Sequence, residues 1–304
     1  MEMALSEIRS DIEAIRDNIS LYEETNFISR AEASDYIYFH IIDRIDLLLQ
    51  EINPPGELLV LKQQAHGLKY HFEKINTDLF LCLREGIQSG VFIGKALRNE
   101  IDKYLINDTS TETVYEEIGY DNLDLLINGI FPVLDIPVET KEREPEMVFY
   151  QKTPARIIFE LAEKGHFMET DVFYDLGSGL GQVSILVNLL TGIKSKGVEF
   201  EPEFCNYARV CASELNSKNV EFINADARLM SYSDGTIFFM YTPFVGKILQ
   251  EVLNIIEADS KKRTIRLFTY GPCTIQVAQQ SWLIPIDQNV NDVYKLSEFR
   301  SFKL

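Results

Sequence analysis

Three carboxylates ordered behind a glycine-rich turn are the most legible chemistry in this sequence. The run Val172-Phe173-Tyr174-Asp175-Leu176-Gly177-Ser178-Gly179-Leu180-Gly181-Gln182-Val183 reads as an apolar strand, a turn and the start of a helix. Glycine lets a ligand lie against bare backbone, and the first turn of a helix offers N–H groups without intrahelical partners. A pyrophosphate uses that device with the spacing G-x-G-x-x-G, whereas the glycines here stand at 177, 179 and 181 and position 182 is glutamine. Asp175 puts negative charge just before the turn, which favours a cation. A second strand ends in Gly197-Val198-Glu199, where an acid can accept both hydroxyls of a ribose. A third ends in Ile223-Asn224-Ala225-Asp226-Ala227, which lets Asp226 accept from an adenine amino group beside small residues that admit the ring. S-adenosylmethionine combines adenosine with an ammonium and a sulfonium, and the order of the three acids favours it over a nicotinamide dinucleotide.

A fourth strand end, Phe239-Met240-Tyr241-Thr242-Pro243-Phe244, faces the place an acceptor would occupy. Tyr241 and Phe244 are the candidate substrate-lining residues, and with Tyr150 and Tyr270 they could form an aromatic lining that holds a cation such as a lysine side chain. No general base stands out. His166 precedes the first strand, and His40, His66 and His71 fall on helical patterns. The four cysteines, Cys82, Cys205, Cys211 and Cys273, lack CxxC spacing, and no HExxH or His-Cys cluster exists, so no metal is expected.

The elements that must position these groups change character near residue 150. Before it the patterns are helical. Leu5, Ile8, Ile12, Ile15, Ile19 and Tyr22 form a heptad seam. A second helix is expected from Ser29, capped with Glu32, to the stop at Pro54-Pro55-Gly56, and further helices at about 57–84 and 90–105. The polar stretch Asn107 to Thr111 reads as a break, and Glu139 to Glu146, rich in charge, as a solvated connector. Beyond it, strands are expected at 172–176, 195–199, 219–223, 236–241 and 264–270, then at 282–284 and 293–296. Helices are expected at 154–164, with Thr153 as cap, and at 182–190, 203–216 and 244–257. Alternation of this kind makes a sheet with helices on both faces.

With those motifs in place, residues 149 to about 300 resemble the class I, seven-stranded, Rossmann-like S-adenosylmethionine-dependent methyltransferases, and DLGSGLGQV followed by GVE is similar in wording to the non-SET histone-lysine methyltransferases. The resemblance implies an α/β fold preceded by an all-α N-terminal domain. It divides the chain into an acidic helical domain at 1–138, a connector at 139–148 and a catalytic domain at 149–304. It also implies a cofactor set of Tyr150, Thr153, Asp175, Gly177, Ser178, Gly179, Gly181, Gln182, Glu199, Phe200, Asn224, Ala225, Asp226 and Ala227. Amino-group methylases of nucleic acid and of glutamine carry (Asp/Asn)-Pro-Pro-(Tyr/Phe) where this chain has Tyr241 to Phe244. Tyr241 removes the acid or amide that would hold such a nitrogen. The reading is methyl transfer to an amine, with protein lysine as the favoured acceptor. A small-metabolite methyltransferase and a cofactor-binding module without turnover stay open.

The net charge of −18 is unevenly spread: residues 1–150 hold 29 acidic against 13 basic side chains, and residues 151–304 hold 18 against 16. An acidic half repels phosphate backbones, so nucleic acid is disfavoured as a partner, while a basic protein suits it. A homodimer through the N-terminal helices is an open alternative. No apolar run reaches the roughly 20 residues of a membrane-spanning helix, and the acidic start MEMALSEIRSDIEAI lacks the order of a signal peptide, so a cytoplasmic protein is expected.

Overall fold

A computed structural model describes residues 1–51, 53–105, 119–132, 134–286 and 292–302, so the polar stretch Asn107 to Thr111 lies outside the described residues. The chain divides into two compact units, one of Met1–Glu85 and Asn99–Val114, the other of Gly86–Arg98 and Tyr115–Leu304.

The first unit is helical. Helix α1 (Glu2–Asp17) is followed by a 3-10 turn (Ile19–Tyr22), α2 (Phe27–Tyr36), a π turn (Ile37–Ile42), α3 (Asp43–Leu48), α4 (Glu57–Gln88) and α5 (Lys95–Asp102), with the last two crossing the unit boundary. The heptad seam is shorter than expected. Leu5, Ile8 and Ile12 are buried, but Asn18 ends α1, its side chain accepting from Ser20 N, and Ile19 is left 82% exposed. The expected cap at Ser29 is also displaced, because α2 begins at Phe27 after Asn26. Isoleucines of α1, the π turn and α3 build the core with Leu58, Leu61 and Phe72 of α4. Fully buried Arg30 is satisfied by the carbonyls of Leu21, Glu23 and Glu24 and by Asn76 Oδ1, which offsets the cost of its burial.

The second unit contains a seven-stranded mixed sheet in the order β3-β2-β1-β4-β5-β7-β6. Strands β1 (Val172–Leu176), β2 (Lys194–Glu199), β3 (Val220–Asn224), β4 (Ile237–Tyr241) and β5 (Arg266–Tyr270) are parallel. β6 (Leu283–Pro285) and β7 (Ser297–Ser301) complete it, with β7 antiparallel to both β5 and β6. Helices α6 (Asn122–Ile130), α7 (Ala155–Lys164), α8 (Gln182–Thr191), α9 (Pro202–Glu214), α10 (Gly246–Ser260) and α11 (Cys273–Ala278) cover it. This unit departs from expectation in three places. The final strand is Ser297–Ser301 rather than 293–296, its alternating Glu298, Phe299 and Arg300 pairing with β5, and the short helices α6 and α11 had no expected counterpart. Thr153 does not cap α7 either; Pro154 precedes the helix, and Asp124 of α6 accepts from Ala155 N instead. Because β1 pairs with β2 on one side and β4 on the other, the chain leaves the carboxyl end of β1 at a topological switch point, where open α/β sheets hold their ligands.

Candidate active site

Above the carboxyl ends of β1, β2, β3 and β4 lies a cavity of about 1050 Å³, counting the open space at its mouth. Of the expected cofactor residues, Tyr150, Thr153, Asp175, Gly177, Ser178, Gln182, Glu199, Phe200, Ala225, Asp226 and Ala227 line it, as do Tyr241 and Phe244. Gly179, Gly181 and Asn224 shape its edge instead. Gly179 has φ +52 and donates its N–H to Glu199 Oε2 at 2.7 Å, with the Tyr150 ring where a β-carbon would be. Gly181 precedes α8, and Asn224 Nδ2 ties β3 to the carbonyls of Glu199 and Phe200.

The three acids have unlike surroundings. Asp175 is buried, and burial pushes its carboxyl up to about 8 against a single weak donor, Ser184 Oγ at 3.4 Å. Burial raises Glu199 as well, opposed by N–H donors from Glu201 on Oε1 at 2.8 Å and Gly179 on Oε2. Asp226 is held below its usual range by Arg228, whose Nε and backbone N donate to Oδ1 at 3.0 and 2.9 Å and whose second guanidinium nitrogen donates to Oδ2 at 2.6 Å. Between them, Ser178 Oγ and both polar atoms of Gln182 are buried without a protein partner. Orphaned polar atoms in a cavity wall fit a ligand that carries donors and acceptors of its own.

At the opposite end, Tyr241 packs against Tyr270 with ring centroids 4.8 Å apart. Burial raises the Tyr241 hydroxyl well above its ordinary value, so it stays protonated. Thr242 follows at φ +41, strained for a β-branched residue. Its hydroxyl accepts from Cys273 N at 3.1 Å and donates to Tyr270 O at 3.3 Å, which holds the bend. His166 is in the loop after α7 and does not line the cavity.

The stretch 139–148, expected as a solvated connector, is largely exposed and also forms part of the cavity wall: Glu139, Lys141, Arg143, Met147 and Val148 line it with Phe149. Val148 N donates to Pro243 O at 3.0 Å, Val245 N to Glu146 O at 2.9 Å, Ile248 N to Glu146 Oε2 at 2.8 Å, and Arg228 pairs with Glu144. Sequence reasoning missed these residues because their partners lie far along the chain, 61 positions on for Thr140 and 102 for Glu146; the one local signal was Glu201-Pro202, an acid followed by proline at a helix start.

Residues 146–251, about a third of the chain, match the family model described as histone methylation protein DOT1. This unit is a Rossmann-like, S-adenosylmethionine-dependent methyltransferase. Similar solved structures include an RNA methyltransferase from Salinibacter ruber in complex with S-adenosyl-L-homocysteine, 23% identical over 50% of this chain and 92% of that one, at a TM-score of 0.40. Another is precorrin-6y C5,15-methyltransferase from Geobacter metallireducens GS-15, 17% identical over 52% of this chain and 95% of that one, at a TM-score of 0.38. Among curated proteins nothing matches. Among the described residues of this methyltransferase no helix is long and apolar enough to cross a membrane, and no three His, Cys, Asp or Glu side chains gather as metal ligands.

Proposed function

We propose that the enzyme methylates an amine, the side-chain nitrogen of a lysine on a basic protein, and that the ordered acids hold its cofactor. The observation that carries the acceptor assignment is the aromatic end of the cavity, where Tyr241 and Phe244 line the wall and Tyr270 backs Tyr241, while Tyr150 lies at the other end against Gly179. The match of residues 146–251 to a histone methylation family supports it.

S-adenosylmethionine supplies the methyl group on a sulfonium that is already a good leaving group. Glu199 keeps lone pairs for the ribose hydroxyls beyond its two backbone donors, Asp226 accepts from the adenine amino group, and Gln182, Ser178 and Asp175 meet the methionine end. The chain's remaining task is alignment, since an in-line displacement responds mainly to geometry. A lysine nitrogen must arrive unprotonated, which from a reference pKa near 10.4 costs roughly 4.6 kcal/mol at pH 7. Desolvation among aromatic rings lowers that cost by disfavouring the ammonium. The acidic N-terminal half, residues 1–138, recruits the basic substrate, and residues 149–304 carry the cofactor site with 139–148 as part of its wall.

Incubation with S-adenosylmethionine and core histones, followed by mass spectrometry, should map methyl groups to lysine nitrogens, and Tyr241→Ala should abolish the signal. Methylation confined to a metabolite extract, or cofactor binding without turnover on either, would contradict the lysine assignment.

A further inference from the structure

Glu199 and Glu201 stand two residues apart, carry the same charge and both line the cavity, yet their carboxylates are committed differently. We propose that Glu201 is a positioning residue for the cofactor: through Thr140 and Lys141 it holds segment 139–143 as a cavity wall and so sets how long cofactor and demethylated product stay bound. Its Oε2 accepts from Thr140 N and Lys141 N, each at 2.8 Å. Its Oε1 accepts from Thr140 Oγ1 at 2.7 Å and Glu203 N at 3.1 Å. Four donors use up the roughly four lone-pair directions of a carboxylate, so Glu201 has none left for a ligand. Burial alone would raise its carboxyl, but these donors outweigh burial and hold it down to about 2, so the clamp stays ionised across the working pH range.

The clamped segment has little apolar surface of its own. Lys141 Nζ donates to Phe200 O at 3.0 Å and sits 4.3 Å over the Phe200 ring, and Arg143 stacks 3.3 Å over Phe149 while donating to Glu139. A glutamate-rich strip has no hydrophobic reason to lie beside Glu199 and Asp226, and like charge opposes it. Backbone N–H groups aimed at Glu201, with Arg228 bridging Glu144 to Asp226, supply the attraction that sequence composition does not. This inference rests on the cofactor being S-adenosylmethionine and is independent of the acceptor.

The test is stopped-flow release of S-adenosylhomocysteine from the full chain, together with hydrogen exchange at the Thr140 and Lys141 amides. Glu201→Ala should speed both release and exchange by about 30-fold, the loss of two or three charge-assisted hydrogen bonds. Glu201→Gln should recover most of that, to within about fivefold of wild type, because its amide oxygen still takes both N–H donors and the Thr140 hydroxyl can turn to accept. Thr140→Val leaves the helix-capping bond to Glu203 intact and should speed release by about threefold. Should Glu201→Ala not fold, the comparison of wild type with Thr140→Val decides the matter, and an unchanged release rate in Thr140→Val would overturn the proposal. A folded Glu201→Ala protein with wild-type release and exchange would do the same. Wild-type protein that binds no S-adenosylhomocysteine would overturn the cofactor assignment along with it.

Discussion

The two ends of the cavity are built on different plans. At the end proposed for adenosine, Glu199 and Asp226 sit at the tips of successive parallel strands and are oriented by donors from nearby backbone or Arg228: Gly179 and Glu201 for Glu199, Arg228 for Asp226. At the end proposed for the acceptor, Tyr241 and Phe244 flank a strained bend at Thr242, and Tyr241 packs against Tyr270 from the neighbouring strand. On the proposed reading, recognition of the cofactor is therefore written in linear order along the chain. On the same reading, recognition of the acceptor is written in cross-strand packing and backbone conformation.

Gly177 is where the two ends meet, so its substitution should break the distinction between them. At φ +76 its β-carbon would fall 2.2 Å from Pro243 Cβ, and Gly177→Ala should lower both cofactor affinity and turnover by on the order of 100-fold. Calorimetry and initial rates check this; loss confined to one of the two would mean that the loops are uncoupled. Asp226→Ala should act at one end only, weakening S-adenosylhomocysteine by about 1 to 3 kcal/mol as the adenine loses a half-buried acceptor, with the released Arg228 still paired to Glu144. Raising salt from 50 to 500 mM should weaken capture of a basic protein by about tenfold while leaving cofactor affinity nearly unchanged, since the Debye length falls from about 14 to about 4 Å.

The smallest expected effect is on stability. Burial raises the Asp175 carboxyl to about 8, so between its unfolded value and 8 the folded protein keeps a proton that the unfolded chain has lost. Stability without ligand then falls as pH rises through that window. Asp175→Asn should abolish cofactor binding yet raise Tm at pH 8 by about 2 to 4 °C, the response of a unit this size to about 1 kcal/mol, with less gain at pH 5. Thermal melts at the two pH values check the sign; a variant that melts lower at pH 8 would mean that the carboxylate is stabilised by its surroundings.

How much was legible follows the same division. Strand β1 has the expected bounds, and β2 to β5 differ from expectation by one or two residues at their ends, because β-branched and aromatic runs bounded by turn residues leave few alternatives. Glu199 and Asp226 could be placed together at the cavity from sequence because a parallel sheet presents its strand tips in chain order. Thr242 gave no sign of its positive φ, since no β-branched side chain favours it. Charge density made 139–148 read as solvent-facing, and much of it is exposed, but its composition gave no sign that Glu201 takes the Thr140 and Lys141 backbone N–H groups or that Arg228 pairs with Glu144. Helix α6 escaped notice despite the Asp121 and Asp124 capping box, and Asp124, raised by burial to about 6, joins α6 to the start of α7. A truncation at 135 would remove that joint, together with Gly86–Arg98 of the same unit.

The separability of the two ends is tested most directly by titrating S-adenosylhomocysteine into wild type, Glu199→Gln and Tyr241→Ala under one set of conditions. Glu199→Gln should weaken binding by about tenfold, the loss of a charge-assisted acceptor to the ribose. Tyr241→Ala should bind within about twofold of wild type, its loss appearing only in turnover. If Tyr241→Ala loses cofactor as fully as Glu199→Gln, the aromatic end is part of the cofactor site and the division drawn here is wrong.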